Sequence, residues 1–295
     1  MIKGKSDKAY EGVCAALVIL FALVCLYPLL YTVFLSFCTE KEWIGSGGKI
    51  WYFPKHPTAA AYVKVLGSTN VVLRALWMSV ERTVIGTVLS LIVNVFAAYA
   101  LSRHNLPGKG VFLKVMLLTI LFNGGLIPTY LTVQSTGLVD TIWSLIVPGL
   151  FSAWNVLILK QFMEGIPHEI EEAADVDGVS TVGKLFYIIL PMSKAALSAI
   201  CMFTIVGHWN NWFDVSIYIK SQKLWTLQYY VKINFDNTAG LDQSKLDFLI
   251  SQGASVSSIT MKMALTVVSV VPMLVIYPFF QKYFTQGVYI GAVKG

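Results

Sequence analysis

The chain has 295 residues, 56% of them hydrophobic and only 13% charged, far below the roughly 25% charge of an ordinary soluble domain. Much of its surface is therefore not built to meet water. The net charge of +6 does not gather into one basic patch but is scattered at the edges of apolar stretches, which argues against a nucleic-acid partner and for a membrane. The four cysteines, Cys14, Cys25, Cys38 and Cys201, sit in apolar surroundings without a CxxC pair or an accompanying His. They give metal and disulfide chemistry nothing to build on.

A helix needs about 20 mostly apolar residues to cross a bilayer, and a charge at its centre costs about 2.5–3.5 kcal/mol on insertion scales. Six stretches of 19 or more residues lack Asp, Glu, Lys and Arg altogether. They predict spans at about 12–39, 83–102, 113–135, 141–160, 192–213 and 263–283, making residues 1–295 one all-α transmembrane domain. The first span follows Lys3, Lys5 and Lys8 as a signal peptide would, but its apolar run is longer than a 7–15-residue signal core and no small-x-small cleavage site closes it, so a retained anchor is expected. Spans three and four nearly touch at Asp140, which calls for a tight hairpin.

Lys and Arg divide evenly, eleven on each side, if both termini are cytoplasmic. Orientation is read from short loops, however, because long loops translocate whatever their charge. The short loop after span two carries Arg103 and Lys109, with Lys114 just beyond, whereas the hairpin at Asp140 carries no basic residue. That places both termini inside, with external loops at 40–82 and 214–262, a cytoplasmic segment at 164–190 and a cytoplasmic tail at 285–295.

The cytoplasmic segment is much longer than a turn requires. Pro167 suits a first helical turn, where its missing N–H costs nothing. Glu169, Glu171 and Glu172 follow where the helix dipole favours acids. Ala173 and Ala174 offer a flat surface to a partner, and Gly178, after Asp177, can take the left-handed conformation that ends a helix. A second short helix is expected from Ser180 toward Leu190, with Pro191 leading into span five.

Glu172-Ala173-Ala174, three residues, Gly178, nine residues, Ile188, one residue, Leu190-Pro191 resembles the EAA motif of ABC-importer permeases at every defined position. The stretches Arg103 to Gly108, Gly124 to Tyr130 and Gly207 to Phe213 look like the carbohydrate-uptake branch, in particular the LplC/YtcP-like subgroup related to the maltose-type subunits. The resemblance covers the whole chain. It implies a type I importer fold in a bacterial cytoplasmic membrane, with 164–190 as a coupling segment that docks on a separate ATPase. In that reading Glu172, Ala173, Ala174, Asp177, Gly178, Leu190 and Pro191 carry the coupling, and Gln286, Gly287 and Lys294 of the tail reach the ATPases. It also implies a second homologous permease, two ATPase copies that hold ATP and Mg, an external solute-binding protein, and a sugar as cargo. This chain itself would hold no cofactor or metal and no catalytic residue.

Gly178 to Lys184 has the GxxxxGK spacing of a phosphate loop. It lacks the following Ser or Thr, and no strand precedes it, so ATP chemistry belongs to another subunit. Polar and aromatic residues within spans tend to face a cavity or a neighbouring helix. Asn123, Tyr130, Asn155, Trp209, Asn210, Asn211 and Trp212 are accordingly candidates for a sugar pathway, supplying amides for hydroxyls and flat rings for C–H faces. Aromatic belts at the bilayer surface and helix-to-helix amide bonds remain alternatives for these residues. An ion-coupled carrier is disfavoured because no Asp or Glu lies inside a span, and a membrane enzyme because HExxH, GxSxG and paired carboxylates are lacking.

Overall fold

The computed structural model describes residues 5–48, 50–67, 70–103, 105–239 and 258–292. Among them the chain is helical and carries no strand. The helices are α1 (Lys5–Ser36), α2 (Glu40–Gly45), α3 (Ala60–Gly67), α4 (Asn70–Ser102), α5 (Lys109–Leu121), α6 (Leu126–Ser135) and, after two 3-10 turns at Ile142–Leu145 and Val147–Gly149, α7 (Ala153–Glu164). Then come α8 (His168–Val176), α9 (Thr181–Lys184), a π turn at Leu185–Ile189, α10 (Leu190–Met192), α11 (Lys194–Asn210), α12 (Phe213–Tyr218), α13 (Leu227–Ala239) and α14 (Ser258–Ala292).

Among the described residues three helices are by themselves long and apolar enough to cross a membrane, at Tyr10–Ser36, Asn70–Ser102 and Ile259–Gln281. The count rises to six when three bent pairs are each taken as one span. The stretch expected as one span at 113–135 is such a pair, and the chain turns by 116° between α5 and α6. The cause is local. Gly125 adopts φ 85°, ψ 179°, a region open essentially to glycine alone. Asn123 holds the turn by accepting the Gly125 N–H at 2.8 Å, and Pro128 falls in the first turn of α6.

Contacts divide the chain into two compact units, Met1–Val72 with Val231–Val271, and Leu73–Tyr230 with Pro272–Gly295. In the first unit, the most apolar stretch of α1 has no buried residue. Leu17, Phe21 and Val24 are all more than half exposed, a surface that only lipid or another subunit satisfies. A small core of Leu35, Cys38 and Ile50 closes against Tyr31, Trp43, Ile259 and Met263. Thr39 caps α2 by accepting the Glu42 N–H, and Glu42 in turn accepts the N–H of Lys55 at 2.7 Å.

The core of the second unit gathers Val95, Ala98, Tyr99, Leu101, Met116, Val156, Leu159, Met163, Leu185, Ile189, Ala196 and Ile200, drawing on α4, α5, α7, the π turn and α11. Its weak point is the break between Val147–Gly149 and α7, where the axis bends by 48° and backbone groups lose their helical partners. Asn94, fully buried on α4, meets that need. Its amide nitrogen donates to Leu150 O at 2.8 Å and to Ser90 O at 2.6 Å, while its oxygen accepts the Ser152 N–H at 2.9 Å. Ser90 Oγ donates to the same Leu150 carbonyl. Irregular backbone inside a bilayer persists only when protein groups satisfy it in this way.

Asp140 closes the expected hairpin with φ 61°, a left-handed conformation that Asp tolerates. Its carboxylate accepts the backbone N–H groups of Ser221 and Lys220 at 2.8 and 2.9 Å. Those two bonds, Ser221 first and Lys220 second, hold the carboxyl below the usual aspartate range. They pin the segment after α12 to the hairpin.

Two predictions follow from these contacts. Asn94→Leu leaves the Leu150 carbonyl and the Ser152 N–H without this partner, and unfolding free energy in detergent should fall by ~2–4 kcal/mol; an unchanged melting curve contradicts the role. Asp140 has a depressed pKa, so its stabilisation is present above the ordinary aspartate value and lost as pH falls through the lower folded value. The melting temperatures of wild type and Asp140→Asn should therefore differ at pH 7, begin to draw together below about pH 4, and converge only once the pH has fallen through the lowered folded value.

Candidate functional site

Helix α8 begins after Pro167 and carries Glu169 and Glu171 in its first turn. It ends on a paired bond pattern, with the Val179 N–H donating to Ala174 O at 2.9 Å and the Gly178 N–H to Asp175 O at 3.0 Å. Gly178 sits at φ 71°, the left-handed position such an ending requires. Ser180 then caps α9 by accepting the Gly183 N–H at 3.1 Å.

One side of α8 faces its own chain. Arg103, stacked over the Tyr99 ring, pairs with Glu171, and Lys184 pairs with Asp175. Tyr99 Oη donates to the Thr181 carbonyl at 3.0 Å. Glu164, at the end of α7, takes Lys109 at 2.9 Å and Lys160 at 2.6 Å. Ala174 is buried at 4% exposure.

The other side is uncovered. Glu172 and Ala173 are exposed, and the Glu172 carboxylate meets His168 Nδ1 at 3.2 Å. Val176 and Tyr187 stand 88% and 82% exposed. Apolar groups this bare beside an outward carboxylate form a surface suited to a partner. Of the two alanines expected to face outward, Ala173 does so and Ala174 packs inward. Asp177 caps α8, Leu190 leans on the core and Pro191 lies in α10.

The second constellation is a cavity of about 470 Å³ whose wall includes Arg82, Asn155, His208, Asn211, Asp214 and Tyr218. Arg82 is 1% exposed. Both its terminal nitrogens reach the Asp214 carboxylate, one of them at 3.1 Å, and they also donate to Asn211 O at 2.8 Å and Leu145 O at 3.4 Å. Its buried Nε–H has no acceptor among the described residues. Asn211 caps the start of α12, with its Oδ1 taking the Phe213 N–H at 3.1 Å, and its amide donates to Asp214 at 3.0 Å. His208 lies so close to α4 that a Cβ on Gly86 would come within 2.6 Å of Nε2.

The structure brings Asn155 and Asn211 together at this cavity. Tyr130 stands behind it, stacked on Tyr218 with ring centroids 6.1 Å apart. Trp209 is 2% exposed and packs within the unit. Asn123 serves the turn before α6, Asn210 is exposed at the end of α11, and Trp212 sits edge-on to Phe213 at 5.7 Å. Gln286 and Gly287 fall on the backbone of α14, and Lys294 lies outside the described residues. Arg82 and Asp214 were not singled out in the sequence, although each bounds a charge-free stretch and so carries a signal.

No family model matches the chain. It is 34% identical over 291 residues to the polygalacturonan/rhamnogalacturonan transport system permease protein YtcP of Bacillus subtilis, covering 98% of this chain and 99% of that one. It is 36% identical over 272 residues to protein LplC of the same organism, covering 92% of this chain and 90% of that one. Among solved structures, a bacterial ABC transporter involved in the import of the acidic polysaccharide alginate contains a chain that superposes with TM-score 0.85 at 29% identity, covering 96% and 99% of the two chains.

The ion pairs behind α8 yield a test of what holds the outward face in place. Arg103→Gln should speed amide hydrogen exchange across 168–176 by about tenfold, since a hydrogen bond to a charged group contributes ~1.5–3 kcal/mol. Exchange in α4 should stay as it is. Equal protection of α8 in the variant would remove Arg103 from this role.

Proposed function

Because the chain belongs to the carbohydrate ABC transporter permeases, membrane transport components that do no bond chemistry themselves, we propose that it is one half of the membrane-spanning part of an ATP-driven oligosaccharide importer. It works in the cytoplasmic membrane of a bacterium with both termini inside and six spans. It pairs with a second, homologous permease. An external solute-binding protein delivers the sugar, and two copies of a cytoplasmic ATPase hold ATP and Mg. ATP binding closes the ATPase pair, and the motion passes through residues 164–190 and turns the spans from inward- to outward-facing. Hydrolysis resets them.

The observation that carries this reading is the two-sided character of α8. Glu171 and Asp175 are spent on Arg103 and Lys184 of the same chain, while Glu172, Ala173, Val176 and the nearby Tyr187 are left outward. An acidic helix built only to be solvated has no need of a bare valine and tyrosine. Glu172 then pairs with a basic group of the ATPase, Ala173 and Val176 seat against its surface, and Ala174 anchors the helix from behind. Asp177 and Gly178 set the bend, and Leu190 and Pro191 join the segment to α11. Gln286, Gly287 and Lys294 of the tail reach toward the ATPases.

The relatives named for polygalacturonan/rhamnogalacturonan and the structure named for alginate import support a poly- or oligosaccharide cargo. Asn155 and Asn211 are the pathway candidates best placed for it, with Tyr130 behind them. Asn123, Trp209, Asn210 and Trp212 contribute less directly, through the turn and the packing that frame the cavity.

Purification in mild detergent should recover a second permease and an ATPase with this chain. The double variant Glu172→Ala with Gly178→Asp should still reach the membrane, since Glu172 is exposed and Asp, which meets open space at position 178, bears a left-handed φ with modest strain, as Asp140 does. Sugar uptake and binding-protein stimulation of ATPase activity should fall at least about a hundredfold, the loss expected when a coupling of ~3 kcal/mol disappears. Normal uptake by the double variant would sink the coupling assignment.

A further inference from the structure

Three aromatic residues in a row, Trp51, Tyr52 and Phe53, stand 67%, 55% and 50% exposed after α2 in the first unit. They are firmly held. Ile50 before them is buried in the small core with Leu35 and Cys38, and Pro54 after them is buried as well. A residue that precedes proline, as Phe53 does, favours extended backbone. The Glu42 carboxylate accepts the N–H groups of Lys55 and His56 at 2.7 and 3.4 Å, and the Thr58 N–H donates to Phe37 O at 2.9 Å. A segment fastened on both sides thus displays its rings instead of folding them in.

The rings lie along α1. Trp51 stacks on Tyr27 with centroids 6.1 Å apart, while Phe53 meets Phe34 edge-on at 5.8 Å and Phe37 at 6.3 Å. Tyr27 precedes the end of α1 at Ser36 by nine residues, about 14 Å of helix at 1.5 Å per residue. The row therefore runs back beside the apolar run of α1, whose most apolar stretch buries nothing against protein. Water gives three bare rings no reason to be there. A bilayer does, because indole and phenol rings join an apolar body to a polar tip and settle where headgroups meet acyl chains.

Charge separates lipid from a second protein as the covering partner. Lys41 and Lys55 are exposed and share a hollow of about 450 Å³ with Thr39, Glu42 and His56. Among the described residues neither ammonium group has an acidic partner, and the Glu42 carboxylate between them is engaged with backbone. Lys is depleted at protein–protein interfaces. Beside a bilayer its stem lies on apolar surface while the ammonium reaches the phosphates.

We propose that residues 51–53 are an interfacial anchor, with their rings inserted between headgroups and acyl chains at the end of α1 and with Lys41 and Lys55 on the lipid phosphates. The inference needs only that α1 crosses the bilayer, and it holds whatever the cargo is.

The test is photochemical and uses the full chain assembled with its partners in nanodiscs of equal phosphatidylglycerol and phosphatidylcholine. The photoreactive residue p-benzoylphenylalanine replaces Trp51, Tyr52 or, as a reference, the exposed Tyr187 of the π turn. After irradiation and digestion, mass spectrometry reads what is joined to each peptide. Phospholipid adducts should form at positions 51 and 52, at least about tenfold more abundant than at 187. Lys41→Gln with Lys55→Gln should lower the ratio of phosphatidylglycerol to phosphatidylcholine adducts by about fivefold, the ~1 kcal/mol that one Lys contributes at an anionic lipid surface.

Cross-links from 51 and 52 to a peptide of the second permease, in place of lipid, assign the row to a protein interface and overturn the anchor. So does the lack of any adduct at both positions, the mark of a loop in water, and so do lipid adducts equally abundant at 187. An adduct ratio untouched by the two Lys substitutions overturns the contact with phosphate.

Discussion

One corner of the second unit is organised by an ion pair between the fully buried Arg82 and the mostly buried Asp214. Taking Arg82 and Asp214 out of water costs several kcal/mol per ion unless every polar group finds a partner. The structure meets that condition almost completely. The guanidinium is held by both carboxylate oxygens and by the carbonyls of Asn211 and Leu145, and Asp214 is held further by the Asn211 amide. These contacts tie α4, the first 3-10 turn, the end of α11 and the start of α12 into one corner. Bidentate geometry fixes their orientation as well as their distance. The single donor left over among the described residues is the buried Nε.

The same constraint explains where the remaining polar residues of the apolar segments went. A broken span exposes backbone that lipid cannot satisfy. Asn94 repairs the break at Leu150 and Ser152, and Asn123 repairs the one at Gly125. Asn211 likewise caps α12. Asn123 and Asn211, two of the asparagines expected as sugar contacts, are thus committed, wholly or in part, to the chain's own backbone, as Asn94 is. Asn155 differs from them: its backbone N–H bonds Ser152 Oγ, while its side chain lines the cavity.

Much of the helical architecture was legible because charge-free length is a strict requirement of the bilayer. The segment after span four was legible because Pro167, the acids after it and Gly178 each have a local preference that agrees with its neighbours. The bends were less legible. The 116° turn at Gly125 leaves the apolar run unbroken, so hydropathy passes over it, and only the Gly124–Gly125 pair ahead of Pro128 hints at it. Arg82 and Asp214 escaped notice for a different reason. A search for stretches free of charge treats the residues that end each stretch as boundaries, yet two of those boundaries lie 132 positions apart and meet as one pair. Which alanine of α8 faces inward also needed tertiary contacts, because Ala173 and Ala174 are chemically identical and differ only in which side of the helix the core claims.

Helix α11 joins the two constellations. It begins at Lys194, one residue after α10 and the segment that carries Gly178, and it ends at Asn210 beside the ion pair. Seventeen residues make a rod of about 25 Å at 1.5 Å per residue. At one end the chain turns by 84° from the 181–192 segment into this rod, with Ile189 and Ala196 both in the core. At the other end Gly207 and His208 line the cavity and His208 lies against Gly86 with no room for a methyl group between them. Packed interiors transmit displacement rather than absorb it. The corner where Arg82 meets Asp214 and the core around Ile189 and Ala196 are thus the two ends of one packed helix, held in register by its length and by the contacts at each end.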